Sequence, residues 1–115
     1  MQDTPGTVAV LATGGTIAGT AASATDNIGY SAAQLGVRSL VDAVPALAGV
    51  PLVTEQVAQL DSKDMAFEVW AALAARVAHH LAQPEIAGVV ITHGTDTLEE
   101  TAYALQRLLA PTKPV

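Results

Sequence analysis

The chain has 115 residues, half of them hydrophobic, with 14% charged and 3% aromatic. That length suits one small domain, and the apolar share is far from the apolar-poor, charge-rich make-up of disordered segments. Eleven acidic residues against five basic ones give a net charge of −6. The cations, Arg38, Lys63, Arg76, Arg107 and Lys113, are scattered along the chain. Nucleic acid, which requires clustered positive charge, is therefore a poor match as a partner.

The absence of cysteine excludes a disulfide scaffold, thiolate metal sites and a cysteine nucleophile. Every apolar run is far shorter than the ~20 residues needed to cross a bilayer, so no membrane partner is expected. Met1 to Gly6 has neither the basic residue nor the apolar core of a signal peptide. The expectation is a soluble protein of the cytoplasm, or of the periplasm if a signal has already been removed.

In chain order, Val8 to Ala12 is a short run, β-branched at two positions, that suits a buried parallel strand. Thr13-Gly14-Gly15-Thr16 breaks it. Ile17 to Tyr30, rich in small polar residues and without a clean period, reads as a long functional loop. Ser31 to Val44 predicts a modest helix with Leu35, Leu40 and Val44 near one face, closed by Pro45 and Gly49-Val50-Pro51. Leu52 to Leu60 is a second strand.

Asp61 to Asp64 then turns the chain into the clearest helix, with Asp64 as its expected N-cap. Its apolar stripe is Phe67, Trp70, Ala74, Val77 and Leu81, and Pro84 ends it. Ala87 to Ile91 is a third strand, apolar throughout as burial on both faces requires. Thr97 with Glu100 matches a capping box, opening a last helix along Leu98, Ala102, Leu105 and Leu109. Pro111 to Val115 looks like the approach to a fourth strand.

Strands alternating with helices imply an α/β fold, a doubly wound, mostly parallel sheet with helices on both faces. Three strands leave an edge that natural sheets avoid exposing, so residues 1–115 read as a partial domain. Ligands of such sheets bind beyond the carboxyl ends of the strands. There this sequence places Thr13 to Thr16, Asp61 to Asp64 and His93 to Thr97, whereas the loops around Pro45–Pro51 and Pro84–Gly88 hold proline, glycine and aliphatic residues. One polar site on one edge is expected.

The glycines of the first loop either permit a tight turn or bring backbone N–H groups close to a ligand, where they stabilise an oxyanion. A Lys-Ser/Thr ending is missing, so this is not a phosphate loop. Thr95 and Asp96 exceed what capping the last helix requires, and His93 reads as structural. His79 and His80 have no carboxylate at ligand spacing, so no metal site is expected.

Ala12 to Gly19 and Ile91 to Thr97 together resemble the two signature motifs of bacterial L-asparaginases of the glutaminase-asparaginase family. Leu60-Asp61-Ser62, Asp64-Met65 and Leu98 to Tyr103 are similar as well. The resemblance covers nearly the whole chain but only about the first third of such an enzyme. It implies a flavodoxin-like N-terminal catalytic domain that hydrolyses the side-chain amide of asparagine, and often of glutamine, without a cofactor.

It further implies Thr16 as the nucleophile, Thr95 as the second catalytic threonine and Tyr30 as the tyrosine of the active-site lid. Asp96 would hold the substrate α-amino group and Ser62 the α-carboxylate. Lys63 stands where glutamine is frequent, and either pairs with that carboxylate or extends into solvent. The resemblance places a catalytic lysine and a smaller C-terminal domain after Val115, with a homotetramer as the assembly; residues 1–115 alone are then expected to be inactive and aggregation-prone. An asparaginase-like subunit of a tRNA-dependent amidotransferase and a non-catalytic flavodoxin-like binding module are the competing readings.

Overall fold

A computed structural model of the chain describes residues 6–15 and 36–115. Three strands, β1 (Thr7–Gly14), β2 (Leu52–Leu60) and β3 (Ile86–Thr92), form one parallel sheet in the order β2-β1-β3. Three helices accompany them: α1 (Val37–Asp42), α2 (Phe67–Leu81) and α3 (Leu98–Leu109). β1 is central and is buried from Ala9 onward, which explains why its residues are apolar without alternation.

Helices cover both faces. On one, Val10 and Ala12 of β1 pack with Val37 and Val41 of α1 and with Leu52. On the other, Ala9 and Leu11 meet Leu73 and Val77 of α2, Ile86 and Val89 of β3, and Leu105 of α3. The chain leaves β1 for one neighbour and returns across it to the other. The carboxyl end of β1, next to β3, is therefore the topological switch point, where open α/β sheets bind ligands.

The second strand has the expected bounds, and the first and third are each slightly longer than their apolar runs. The expected helix over Ser31–Val44 is much shorter within the described residues, six residues followed by a 3₁₀ turn at Pro45–Leu47. Its packed residues are Val37 and Val41, and Val44 lies outside it, exposed. The start of α1 has no side-chain cap of its own; Gln56 of β2 supplies one, its Oε1 accepting from the Val37 N–H at 2.8 Å.

The stripe on α2 holds from Trp70 onward, but Phe67 is 82% exposed and meets the Trp70 ring at 5.8 Å. Asp64 does not cap α2. It ends the 3₁₀ turn Ser62–Asp64, and Ala66 occupies the cap position. Nor is β3 buried on both faces: Ala87 is exposed and Val90 is 51% exposed. The final segment does run beside β3, with the Val89 N–H donating to the Pro114 carbonyl at 2.9 Å.

Candidate active site

Three loops leave the carboxyl ends of the strands and press against one another. Gly15 has φ +90°, a conformation that favours glycine, and a Cβ there would strike the backbone N of Gly94 and lie 2.5 Å from its Cα. Gly94 is equally confined, since its own Cβ would sit 2.5 Å from Ser62 Oγ and 2.8 Å from Ser62 Cβ. Lack of side chains at both positions is what lets the first and third loops touch backbone to backbone. Two hydrogen bonds support the junction: Thr13 Oγ1 donates to the Thr92 carbonyl at 2.8 Å, and the Gly15 N–H to the Leu60 carbonyl at 3.0 Å.

Ser62 joins the second loop to the third. Its Oγ accepts from the Asp96 N–H at 3.1 Å, and its carbonyl accepts from Thr97 Oγ1 at 2.9 Å. The residue is buried, whereas Lys63, Thr95 and Asp96 are exposed around it. The Thr97 hydroxyl is thereby diverted: Thr97 occupies the N-cap position of α3 but makes no side-chain capping bond. The expected capping box is absent because tying two loops together uses the group that would have closed it. Asp61 caps the 3₁₀ turn that presents Ser62 and Lys63, accepting from the Lys63 N–H at 3.3 Å.

The structure thus brings together Ser62, Lys63, Thr95 and Asp96. Thr16 and Tyr30 lie outside the described residues; Thr16 follows directly on Gly15 in the chain. His93 lies just past the end of β3 and belongs to a hydrogen-bonded chain that sequence reasoning missed. Trp70 Nε1 donates to Thr101 Oγ1 at 2.7 Å, His93 Nε2 lies 2.7 Å from the same oxygen, and His93 Nδ1 lies 2.6 Å from the Gly94 carbonyl. One signal was available: Thr101 is a polar residue beside Ala102 in the stripe expected for α3, of which Leu105 and Leu109 pack in the core while Leu98 and Ala102 are exposed.

A second polar cluster sits away from the loops, between β2 and α2. Arg76 grips Glu55 through Nε at 2.6 Å and Nη2 at 2.8 Å, and His80 Nε2 is 3.1 Å from Glu55 Oε1. The Arg76 guanidinium holds the Glu55 carboxyl below its usual value, with the His80 bond adding to the effect against partial desolvation. Among the described residues no group of three His, Cys, Asp or Glu side chains is arranged to hold a metal ion. No described helix is long and apolar enough to cross a membrane.

Residues 7–115 match the family model described as "Asparaginase, N-terminal". The chain is 44% identical to L-asparaginase 2 of Bacillus subtilis and 46% identical to the glutaminase-asparaginase of Pseudomonas fluorescens, covering 94% of this chain in both comparisons. It spans only 29% and 30% of those two relatives. Among solved structures, a probable cytoplasmic L-asparaginase from Campylobacter jejuni superposes with a TM-score of 0.80 at 46% identity, over 87% of this chain and 31% of that one.

Proposed function

As the chain belongs to the asparaginase N-terminal family, we propose that it carries the nucleophile and most substrate contacts of an amidohydrolase. Its substrate is L-asparagine, with L-glutamine as a second amide. The Thr16 hydroxyl attacks the side-chain amide carbon while its proton passes to a base, and the carbonyl oxygen becomes an oxyanion. The C–N bond breaks as the nitrogen takes up a proton, ammonia leaves, and an ester on Thr16 is left behind. Water then attacks that ester, releasing the amino acid with a free carboxylate and regenerating the hydroxyl.

Thr95 supplies the second hydroxyl at the reacting centre. Asp96 pairs with the substrate ammonium, Lys63 and the Ser62 hydroxyl face its carboxylate, and Tyr30 closes over the nucleophile to exclude water. A carboxylate for the ammonium and a cation with a hydroxyl for the carboxylate match a zwitterion. This chemistry needs neither a metal nor an organic cofactor. In this reading the 115 residues are part of an N-terminal catalytic domain, the lysine that partners Thr95 comes from outside them, and the whole enzyme is a homotetramer of the cytoplasm or periplasm.

The observation that carries the proposal is the contact of Gly15 with Gly94, which brings the chain position next to Thr16 against the loop of Thr95 and Asp96. The test is Thr16→Ala in the complete polypeptide, assayed by ammonia release from asparagine. Turnover should fall by several orders of magnitude with an unchanged circular dichroism spectrum. Near-normal turnover would reduce Thr16 to a turn residue.

A further inference from the structure

We propose that Trp70, Thr101 and His93 form a positioning chain that fixes the Gly94–Thr95 peptide, and through it the placement of Thr95 and Asp96. The inference rests on the amidohydrolase reading and adds three residues to it, which act through the Gly94–Thr95 peptide.

The direction of the chain follows from which atoms can donate. An indole N–H only donates, so Thr101 Oγ1 accepts from Trp70. A carbonyl only accepts, so His93 carries its proton on Nδ1, toward Gly94. In the neutral ring Nε2 is then an acceptor, and the Thr101 hydroxyl donates to it. The four groups run head to tail from indole to hydroxyl to imidazole to carbonyl, an arrangement in which each bond polarises the next. Thr101 is 3% exposed, so water does not compete for its hydroxyl.

The chain ends at the junction of the three loops. Gly94 abuts Gly15 on one side and Ser62 on the other, and the peptide that His93 holds is the one leading into Thr95. Among the described residues every peptide is trans, so fixing the Gly94 carbonyl also fixes the opposite direction for the Thr95 N–H. Trp70 and Thr101 lie in the first turns of α2 and α3. Two core-packed helices therefore set the orientation of the peptide that leads into Thr95.

The test uses Thr101→Val, Thr101→Ser and Trp70→Phe in the complete polypeptide, with kcat and KM for asparagine and ¹⁵N spectra of the His93 ring. Loss of the hydroxyl in Thr101→Val should lower kcat about 10- to 100-fold, as expected for misplaced reacting groups, and raise KM by a smaller factor, because Ser62 still holds the Asp96 N–H. Trp70→Phe should have a smaller effect in the same direction, and Thr101→Ser should recover kcat. The wild-type ring should show the Nδ1–H tautomer, and Thr101→Val should shift the Nε2 signal.

A Thr101→Val enzyme with normal kcat, whatever its melting temperature, would overturn the proposal, as would a loss of kcat that Thr101→Ser fails to recover or an unshifted Nε2 signal. Failure of the wild-type protein to release ammonia from either amide defeats the amidohydrolase reading instead. In that event the backbone amide shifts of Thr95 and Asp96 decide. Displacement in Thr101→Val supports the positioning chain, and unchanged shifts overturn it.

Discussion

The two edges of the sheet each turn the chain at a glycine of similar positive φ, in different surroundings. At the carboxyl edge Gly15, at φ +90°, is pressed against the Gly94 backbone; at the amino edge Gly49, at φ +83°, has nothing within 4 Å of where a Cβ would stand. A positive φ marks a turn at either edge. Crowding of backbone on backbone, together with the bonds of Ser62, Thr97 and Asp96, occurs where the chemistry is proposed. The contrast separates glycine needed for shape from glycine needed for proximity.

Between the two edges, and short of removing the Thr16 hydroxyl itself, the largest expected effect is that of Gly15→Ala. The new Cβ meets backbone atoms, which cannot rotate away as a side chain would, so relief requires the first or the third loop to shift. A shift of ~1 Å in reacting groups can cost about 10²-fold in rate, so ammonia release should drop by at least that order while the protein also melts earlier. A Gly15→Ala enzyme with normal kcat would mean that the two loops are held apart during turnover.

Asp96→Ala comes next. It keeps the backbone N–H that bonds Ser62, so the loop junction survives and only the carboxylate is lost. Removing one partner of a buried hydrogen-bonded charge pair costs ~2–5 kcal/mol, and Asp96, exposed in the free protein, becomes such a partner only when substrate covers it. KM for asparagine should rise accordingly, with little change for an analogue that lacks the α-amino group. Equal losses on both substrates would show that Asp96 supports structure rather than recognition.

The contrast between the edges also explains what could be read in advance. Alternation of apolar runs with helical periods carried the parallel sheet, and the clustering of Thr, Ser, Asp and His after each strand pointed to the carboxyl edge. The helix-cap expectations did not hold. Asp64 and Thr97 have the residue types of caps, but Asp64 ends a 3₁₀ turn and Thr97 bonds the Ser62 carbonyl. A rule that looks three or four residues ahead cannot register a partner 35 positions away. Phe67 failed similarly: its spacing fits the stripe, but in the first turn of α2 the ring stays largely in solvent against Trp70. Thr16 and Tyr30 rest on motif resemblance and lie outside the described residues.

A smaller effect is expected from Gly49→Ala, an open position at the amino edge. With no atom to strike, the substitution incurs only the left-handed backbone penalty of about 1–2 kcal/mol. The melting temperature should fall slightly and kcat should not change. Asn at the same position, which tolerates this conformation better, should recover part of the loss. A loss at Gly49 as large as that at Gly15 would erase the distinction between the edges.

The smallest effect belongs to the flank of the sheet, where polar groups are charged rather than neutral. Glu55 accepts two bonds from Arg76 and one from His80, and its pKa lies below the ordinary 4.5 mainly because of the Arg76 bond. A carboxyl with a depressed folded-state pKa binds fewer protons folded than unfolded. Its stabilisation is therefore present above about pH 4.5 and is lost as the pH falls through the folded value. Arg76 and Glu55 are both partly exposed, so solvent screening keeps the contribution of the pair small. Glu55→Gln retains an acceptor for the guanidinium and removes the charge. Thermal melts at pH 7 should place it slightly below wild type, and the gap should close on acidification below pH 4.5 and narrow in high salt. A gap that persisted unchanged at low pH would assign the loss to packing of the Glu55 side chain rather than to its charge. The flank would then join the carboxyl edge as a region held by shape.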